Sequence, residues 1–284
     1  MQFFDSHCHF DFIEFNADRT ALWQACTAQG ITGLLMPGVA PEQWQNAAQL
    51  CARYEGLCYA AGIHPHWIEQ QQWFQKDAQG LLVDATQEKI VALIRDQIMQ
   101  STKADKPYCV AVGECGLDKL ITTPMALQQQ LLNLHIDIAN QLAKPLIIHC
   151  VRAHNEMIAL LKKNKPKAGG VIHAFSGSYE VAQEYIGLDF CLGIGGTITY
   201  ERAQKTRAAV AKIPLDYLLL ETDAPDMPLQ GKQGQRNSPE YIPHIAQVLA
   251  QLRNESLQDI AAATSRNTLR LFYGDQAGVS LGVS

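Results

Sequence analysis

The sequence predicts an α/β fold, a TIM-type (β/α)8 barrel, and three observations support this prediction. Eight short apolar runs alternate with longer amphipathic segments along the chain. The runs are hydrophobic almost without interruption, which is typical of parallel strands covered on both faces. The length of 284 residues is close to the roughly 250 residues of such barrels.

The apolar runs are predicted to be the strands. They are rich in Leu, Ile, Val and aromatic residues, which favour a buried extended chain. Because a helical segment follows each run, consecutive runs must pair in parallel through crossovers. The predicted strands cover residues 2–7, 31–36, 57–63, 108–113, 145–149, 170–174, 189–194 and 217–222.

The amphipathic segments are predicted to be the helices around the barrel. Pro41 begins the second of them after a turn, and Ser238-Pro239 supplies an N-cap and a first helical residue. A last helix, over about 255–272, closes the chain. The other predicted helices cover residues 17–29, 41–54, 85–100, 125–142, 153–164, 179–187, 199–212 and 239–252.

An open, doubly wound sheet is the alternative fold for such a pattern. A dinucleotide-binding sheet is expected to carry G-x-G-x-x-G after its first strand, and this sequence does not. The glycine-rich stretch GIGGT at 193–197 lacks the Lys-Ser/Thr pair of a phosphate-binding loop. The chain shows no repeats, linkers or low-complexity tracts, so residues 1–284 are predicted to form a single barrel domain.

Charge and composition restrict the partners and the compartment. The net charge is −5, so no overall basic field indicates a long nucleic-acid groove, and a nucleic acid would be held locally. The eight cysteines form no CxxC pair, which is typical of free thiols in a reducing compartment. No apolar stretch approaches the roughly 18 residues that span a bilayer. Because no signal-peptide pattern opens the chain, a cytoplasmic protein without membrane contact is predicted.

Polar side chains stand where the predicted strands end. In DSHCH, His7 and His9 point to the same side, because side chains alternate along an extended chain. The carboxyl ends of parallel barrel strands all lie on one face, where such folds carry their chemistry. The groups expected there are His7, His9, His64, Glu114, His149, His173 and Asp223.

This convergence predicts a metal centre. Read singly, a buried histidine is more often a hydrogen-bonded core residue, Glu114 could pair with Arg152, and Asp223 could form an Asx turn. Taken together, carboxylates and imidazoles on one apolar rim are costly to desolvate unless cations compensate them. A mixed His and carboxylate set suits Zn²⁺, Mn²⁺ or Ni²⁺, and also Mg²⁺ with retained waters.

Six ordered motifs give the chain a resemblance to a known family. DSHCHF, GIHPHW, AVGECGLD, PLIIHC, VIHAFSG and LLLETDAP resemble the successive signatures of the TatD-type metal-dependent hydrolases. These are a branch of the amidohydrolase-like barrels that includes DNases. The resemblance runs from residue 3 to the RNSPEYIP stretch near residue 243, and the fold that it implies is the barrel predicted above.

The resemblance implies a site for two divalent metal ions. Glu114 has two oxygens and can bridge two cations. Many amidohydrolase barrels use a carboxylated lysine as the bridge instead, so Glu114 favours the TatD branch. The ligands implied for the first ion are His7, His9, Glu114 and Asp223, and those for the second are Glu114, His149 and His173.

The expected activity is divalent-metal-dependent phosphodiester hydrolysis, an exonuclease-like digestion of DNA from its 3′ end with a metal-bound hydroxide as nucleophile. Asp223 is the expected general base. By the same resemblance, His64 contacts the substrate phosphate, as a clamp or a proton donor. Trp67, in the same motif as His64, could stack on a base or cap its loop.

The sequence departs from the family pattern at two positions. An arginine usually stands two residues after the fifth-strand histidine, whereas this chain has Val151 there and Arg152 next. Arg152 is the substrate-binding candidate, and the shift by one position can turn its side chain away. Lys119 replaces an aromatic residue that often follows GLD.

Two carboxylates near the predicted ligands have alternative roles. Glu221 could orient a histidine ligand or form a structural ion pair. Asp118 belongs to the GLD motif of the family, and it could equally cap a turn.

Two other functions are compatible with these residues. The same centre could hydrolyse a small ester, amide or phosphoester, because the chain lacks the basic groove on which tight duplex binding draws. A non-catalytic metal- or nucleic-acid-binding protein is disfavoured, since the ligand set is complete. The expected partners are therefore a DNA end or a small phosphoester, with no obligate protein partner.

Overall fold

Eight parallel strands form the central sheet, in the order in which they occur along the chain. This computed structural model describes residues 1–101 and 108–274. Helices lie between consecutive strands, so the predicted (β/α)8 barrel is confirmed. The strands are β1 Phe3–Asp5, β2 Ile31–Met36, β3 Leu57–Ala61, β4 Cys109–Asp118, β5 Leu146–Val151, β6 Gly170–Ile172, β7 Phe190–Ile194 and β8 Leu218–Leu220.

The helices surround the strands close to their predicted positions. The main difference concerns 199–212, where a 3-10 turn at Gly196–Thr199 precedes a shorter helix. Ser238 accepts the Glu240 N–H and caps the 3-10 turn Pro239–Tyr241 before the eighth helix. The helices are α1 Arg19–Ala28, α2 Pro41–Arg53, α3 Asp84–Ser101, α4 Met125–Leu142, α5 His154–Lys163, α6 Tyr179–Ile186, α7 Gln204–Val210, α8 Ile242–Arg253 and α9 Leu257–Tyr273.

The strands separate two apolar clusters, because alternate side chains point into and out of a barrel. On β1, Phe4 belongs to the inner cluster and Phe3 to the larger cluster between strands and helices. Phe272 of α9 packs against the inner cluster. The strand residues of the inner cluster are Phe4, Leu35, Cys58, Ala60, Val110, Ala111, Ile147, Val171, Cys191 and Leu219.

The barrel is brought together at the junction of β8 and β1. Ser6 N–H donates to the Leu220 carbonyl at 2.9 Å, and Asp223 N–H donates to the His7 carbonyl at 2.8 Å. The buried carboxylate of Asp5 accepts the Thr222 N–H at 3.0 Å and the Thr222 hydroxyl at 2.6 Å. These bonds hold the residues that follow β1 beside those that follow β8.

Other expectations can be compared with the described residues. All eight cysteines are free thiols, as predicted. No helix within residues 1–101 and 108–274 is long and apolar enough to cross a bilayer. The single domain over 1–284 includes residues outside these ranges and stays a prediction.

Candidate metal centre

Glu114 lies at the centre of the polar cluster at the carboxyl ends of the strands. It is 1% exposed, and its backbone N–H donates to the Gly38 carbonyl at 2.7 Å. The preceding Gly113 has φ +136°, and a Cβ there would lie 2.6 Å from the Ile147 carbonyl oxygen. Only glycine fits this approach of β4 to β5. The carboxylate is therefore held in place by the backbone on both sides of β4.

One oxygen of Glu114 faces the residues that follow β1. Oε2 lies 3.2 Å from Nε2 of His7 and 3.8 Å from Nε2 of His9. Asp223, which follows β8, places Oδ1 3.4 Å from His7 Nε2 and 3.6 Å from His9 Nε2. His7, His9, Asp223 and Glu114 therefore form one cluster of two imidazoles and two carboxylates. The hydrogen bonds between the segments after β8 and β1 bring three of these residues together.

The other oxygen of Glu114 faces residues from β5, β6 and β3. Oε1 lies 2.8 Å from Nε2 of His173 and 3.1 Å from Nδ1 of His149. These two nitrogens are 3.1 Å apart. His64, just beyond β3, places Nε2 3.3 Å from the same oxygen. The two oxygens of this one carboxylate therefore face different imidazoles, while the rings of His7 and His173 stack with centroids 4.0 Å apart.

Two further carboxylates face the ring nitrogens of His149 and His173 that point away from Glu114. Asp118, at the end of β4, places Oδ2 3.0 Å from Nε2 of His149. Glu221 places Oε1 4.0 Å from Nδ1 of His173, and the same oxygen accepts the Ala174 N–H at 2.5 Å. Both carboxylates are buried. The hydrogen bond of Asp118 fixes the orientation of the His149 ring, as outer carboxylates do in metal sites, whereas Glu221 lies beyond hydrogen-bond distance of His173.

Burial favours the neutral forms of several of these groups. It lowers the pKa of His7 and of His64 to about 4. It raises the pKa of Asp5 to about 7 and that of Glu221 well above its usual range. A neutral imidazole carries a free lone pair, which is the form that a metal ion binds.

Neighbouring charges overcome burial at four other groups. Burial opposes ionisation of Glu114, yet the imidazoles of His173, His64 and His7 hold its pKa well below the usual range. Likewise Asp223, despite burial, has a lowered pKa because it contacts His9 and His7. Burial is also outweighed at His9 and His149, whose pKa values rise to about 9 beside the carboxylates. The site thus concentrates negative charge that cations can compensate.

The donor set fits divalent metal ions. Several buried atoms make no aligned hydrogen bond to any described residue, among them both ring nitrogens of His7, Nδ1 of His9 and Oε2 of Glu114. Three groups have candidate ligand atoms within 4.8 Å of one another. They are His7–His9–Glu114, His7–His173–Glu221 and His64–Glu114–His149. Imidazole nitrogens and carboxylate oxygens in such groups suit Zn²⁺, Mn²⁺ and related ions.

The cavity above Glu114 has a volume of about 260 Å³ and an acidic, aromatic lining. His9, His64, His149, His173 and Asp223 line it together with Phe12, Val39, His66, Trp67 and Asp226. Arg152 does not line it. This residue is exposed and adopts φ +52° after β5, so the shift noted in the sequence places it outside the cavity wall.

The roles of several residues in or beside the metal centre could not be assigned from the sequence. Asp118 was singled out only as a motif residue or a turn cap, and Glu221 as a residue that orients a histidine or forms an ion pair. Neither partner could be named, because the contacts to histidines join positions 31 and 48 residues apart. His135 of α4 was missed, although its Nε2 accepts the Ile63 N–H at 3.0 Å, one residue before His64. Phe12 was missed as well, and its ring stacks on His9 with centroids 4.5 Å apart. A helical histidine and a loop phenylalanine carry no distinguishing sequence signal.

Comparison with known proteins places this geometry in a family. The family model described as TatD related DNase matches residues 4–273. The chain belongs to the TatD family. A metal-dependent hydrolase of this family from Escherichia coli strain K12, the uncharacterized YjjV, is 38% identical over 272 residues, which is 95% of this chain and 98% of that protein. The Klebsiella pneumoniae protein named 3′-5′ ssDNA/RNA exonuclease TatD is 34% identical over 274 residues, 94% of this chain and 96% of that protein.

Solved structures agree with this assignment to the TatD family. The crystal structure of Escherichia coli YjjV, a TatD homologue, has a TM-score of 0.83 with 38% identity, and the match covers 95% of this chain and 97% of YjjV. A mutant organophosphorus hydrolase from Deinococcus radiodurans shares the fold alone, with a TM-score of 0.67 and 14% identity. The protein is therefore a TatD-family, metal-dependent hydrolase acting on ester bonds.

Proposed function

We propose that this TatD-family hydrolase removes nucleotides from the 3′ end of DNA, with two divalent metal ions bridged by Glu114. One observation carries the proposal. The two oxygens of Glu114 face different imidazole groups, Oε2 toward His7 at 3.2 Å and Oε1 toward His173 at 2.8 Å. A carboxylate between two ligand sets is the arrangement that a two-metal phosphodiesterase requires. The relatives named as 3′-5′ exonucleases support the choice of substrate.

The proposed ligands divide between the two oxygens of Glu114. The first ion would be held by His7, His9, Asp223 and Glu114, and the second by His149, His173 and Glu114. Bound at these positions, the ions would polarise a phosphoryl oxygen and lower the pKa of water toward about 7. We expect the ions to be Mg²⁺, Zn²⁺, Mn²⁺ or Ni²⁺, and metal analysis of the purified protein identifies them.

Asp223 is the proposed general base. Its carboxylate lines the cavity, and contact with His9 and His7 outweighs burial and keeps its pKa below the usual value. It is therefore ionised at neutral pH and can accept a proton from a water molecule that attacks phosphorus. The backbone bond from Asp223 N–H to the His7 carbonyl, 2.8 Å, fixes the carboxylate beside β1.

His64 is the proposed phosphate contact. Its Nδ1 accepts the His66 N–H at 3.1 Å, so in the neutral ring the proton lies on Nε2. Burial keeps the ring neutral, because it lowers the pKa of His64 to about 4. The Nε2–H faces Glu114 and the cavity, where it can donate to a phosphoryl oxygen. Arg152, three residues after His149 and outside the cavity wall, is proposed to contact a substrate phosphate that lies beyond the cavity.

A digestion assay with chelator-treated and metal-reconstituted protein tests this function. Single-stranded oligonucleotides labelled at the 5′ end should yield a ladder that shortens from the 3′ end only when a divalent metal is restored. Metal analysis of protein purified without chelator should find two ions per chain. Glu114→Gln should lose both ions and activity, whereas the exposed Glu69→Gln should keep them.

Two results would contradict the proposal. Equal digestion after chelator treatment would remove the metals from the mechanism. No digestion with Mg²⁺, Mn²⁺, Zn²⁺ or Ni²⁺, together with turnover of a small ester, cyclic amide or phosphoester, would instead assign the site to a small substrate.

A further inference from the structure

A second depression opens beside the metal cavity. It has a volume of about 660 Å³ and lies between the segment after β1, the start of α2 and the segment after β3. Phe12, Val39 and Trp67 line both the depression and the metal cavity, so the two are continuous. We call this depression the aromatic groove; its remaining lining residues are Ile13, Glu14, Ala40, Glu42, Gln43, Gln70 and Gln71.

Aromatic rings form the wall where the groove meets the metal cavity. Phe12 stacks on the proposed ligand His9, with centroids 4.5 Å apart and planes at 28°. Trp67 stands 6.2 Å from Phe12 at 49° and meets His64 edge-on at 5.5 Å. Trp67 and Phe12 are both partly exposed. A flat group entering from the metal cavity would therefore find two ring surfaces beside it.

The charge of the groove disfavours a second phosphate. Glu14 and Glu42 are exposed on its rim, and no Lys or Arg of the described residues lines it. Arg236 reaches the same loop, but both of its amino groups bind Asp18, at 2.8 and 2.6 Å, and it donates to the Glu14 carbonyl. Because phosphates need cations or N–H donors, the groove suits an uncharged group. Ile13, which is 77% exposed, adds apolar surface that such a group would cover.

We propose that the aromatic groove binds the nucleobase of the terminal nucleotide, the one whose 5′-phosphate is cleaved at the metal centre. This inference rests on the proposed function and names the part of the substrate that the chain recognises beyond the phosphate. Stacking on Trp67 and Phe12 accepts any base, because every base presents a π-face. The protein would thus hold a nucleotide end by one phosphate and one base, without the basic groove that a long strand requires.

A pair of substrates measures the contribution of the base. Thymidine 5′-(p-nitrophenyl phosphate) and methyl p-nitrophenyl phosphate lose the same leaving group by cleavage of the same type of P–O bond, and only the first carries a nucleoside. The ratio of their kcat/KM values reports nucleoside recognition in metal-loaded protein, and the change of this ratio in a groove variant reports the contact with the base. Trp67→Leu should lower this ratio roughly tenfold, as the loss of one stacking partner does. Trp67→Phe should keep most of it.

A matched control comes from another pocket of the protein. Tyr200 lies with Arg202 in a pocket of about 270 Å³ that shares no lining residue with the metal cavity, and the two side chains form a cation–π contact at 4.9 Å. Tyr200→Leu should leave the substrate ratio at its wild-type value. A fall in the ratio for Tyr200→Leu, and none for Trp67→Leu, would place the base in that other pocket and overturn the proposal.

Binding provides a readout that does not depend on turnover or on any variant. Titration calorimetry of the metal-loaded protein with thymidine 5′-monophosphate and with deoxyribose 5-phosphate should give a dissociation constant roughly tenfold lower for the nucleotide. Equal constants would contradict the base subsite even if the enzyme digests DNA. A preference for the nucleotide without hydrolysis of either p-nitrophenyl substrate would keep the base subsite and contradict the proposed phosphodiesterase activity.

Discussion

The carboxylate of Asp118 accepts a hydrogen bond from Nε2–H of His149 at 3.0 Å, and this bond fixes which ring nitrogen faces the site. Because a carboxylate can only accept, Nε2 donates a proton to Asp118, and Nδ1 is directed at Glu114 and His173, where a metal ion would take the place of a proton on Nδ1. Burial disfavours the charged ring, but the bonds to Asp118 and Glu114 raise the pKa of His149 to about 9. Asp118 therefore orients a proposed metal ligand and increases its basicity.

Asp118→Asn should weaken metal binding by about 10–100-fold, the usual effect of losing an outer carboxylate. The asparagine keeps an oxygen for the Leu120 N–H, which Oδ1 of Asp118 now accepts at 2.7 Å, so the turn should persist. Competition with a chromogenic chelator measures the affinity. The same change at the exposed Asp137 of α4 is the matched control. Equal affinities in the wild type and Asp118→Asn would show that His149 needs no carboxylate partner.

Gly193→Ala should disturb the metal centre through Glu221, because Gly193 of β7 lies against this carboxylate. A Cβ at Gly193 would lie 1.9 Å from Oε2 of the buried Glu221, so this carboxylate must move away from His173 and the Ala174 N–H. We expect a loss of stability of about 1–3 kcal/mol, typical of overpacking, together with reduced metal content. Urea unfolding and metal analysis measure the two effects.

Gly187→Ala is the control for this substitution. Gly187 has φ −63° and follows α6, and a Cβ there would meet its nearest atom at an ordinary 3.4 Å. Its stability should stay within about 0.5 kcal/mol of the wild type. If Gly193→Ala behaves in the same way, Glu221 has no fixed position in the site.

Asp223→Asn should reduce turnover by about 10²–10⁴-fold, because an amide cannot accept the proton from water. Asparagine is the appropriate replacement, since Asp223 has φ +57° and asparagine tolerates the left-handed region. The melting temperature should change little. Asp189→Asn provides the control at another left-handed aspartate, φ +66°, which is exposed and paired with Lys165 at 3.1 Å. Wild-type activity in Asp223→Asn would exclude this residue as the base.

His135 should make stability depend on pH independently of the metal site. Burial lowers its pKa from 6.5 to about 4 in the folded chain, so the unfolded chain binds the proton more readily between these values. Its contribution is complete above about pH 6.5 and falls as the pH drops toward 4, by about 3 kcal/mol in total. The stability difference between the wild type and His135→Gln, from urea unfolding, should therefore shrink over this range.

The exposed His244 of α8 offers the comparison for His135. His244→Gln should keep the pH profile of the wild type, since this exposed side chain leaves the buried His135 and its bond to Ile63 unchanged. A pH-independent difference between the wild type and His135→Gln would show that His135 stabilises the fold only through packing and its bond to Ile63.

The order of the strands could be predicted because the buried strands are continuous apolar runs in the sequence. Runs such as LCYAA and FCLGI are apolar on both faces, and this pattern at regular intervals between amphipathic segments favours covered parallel strands. The imidazoles could be placed at one face for the same reason, since each follows the end of such a run. The bounds were less predictable where polar groups continue a strand, as β4 does to Asp118.

Contacts between distant residues could not be predicted from one sequence. The bond of His149 to Asp118 and that of His135 to Ile63 join different elements, and they depend on strand register and helix rotation rather than on local pattern. The exposure of Arg152 could not be predicted either, because it depends on the left-handed backbone conformation of this residue after β5. The aromatic groove likewise needs three separate segments to meet.

The junction between β1 and β8 has a consequence for synthesis in the cell. His7 and His9 are translated more than 200 residues before Asp223, which lies 3.4 Å from His7. A nascent chain consequently holds only part of the proposed cation site, and an unclosed barrel, until Asp223 has been made. Copies terminated before Asp223 would then lack a proposed metal ligand.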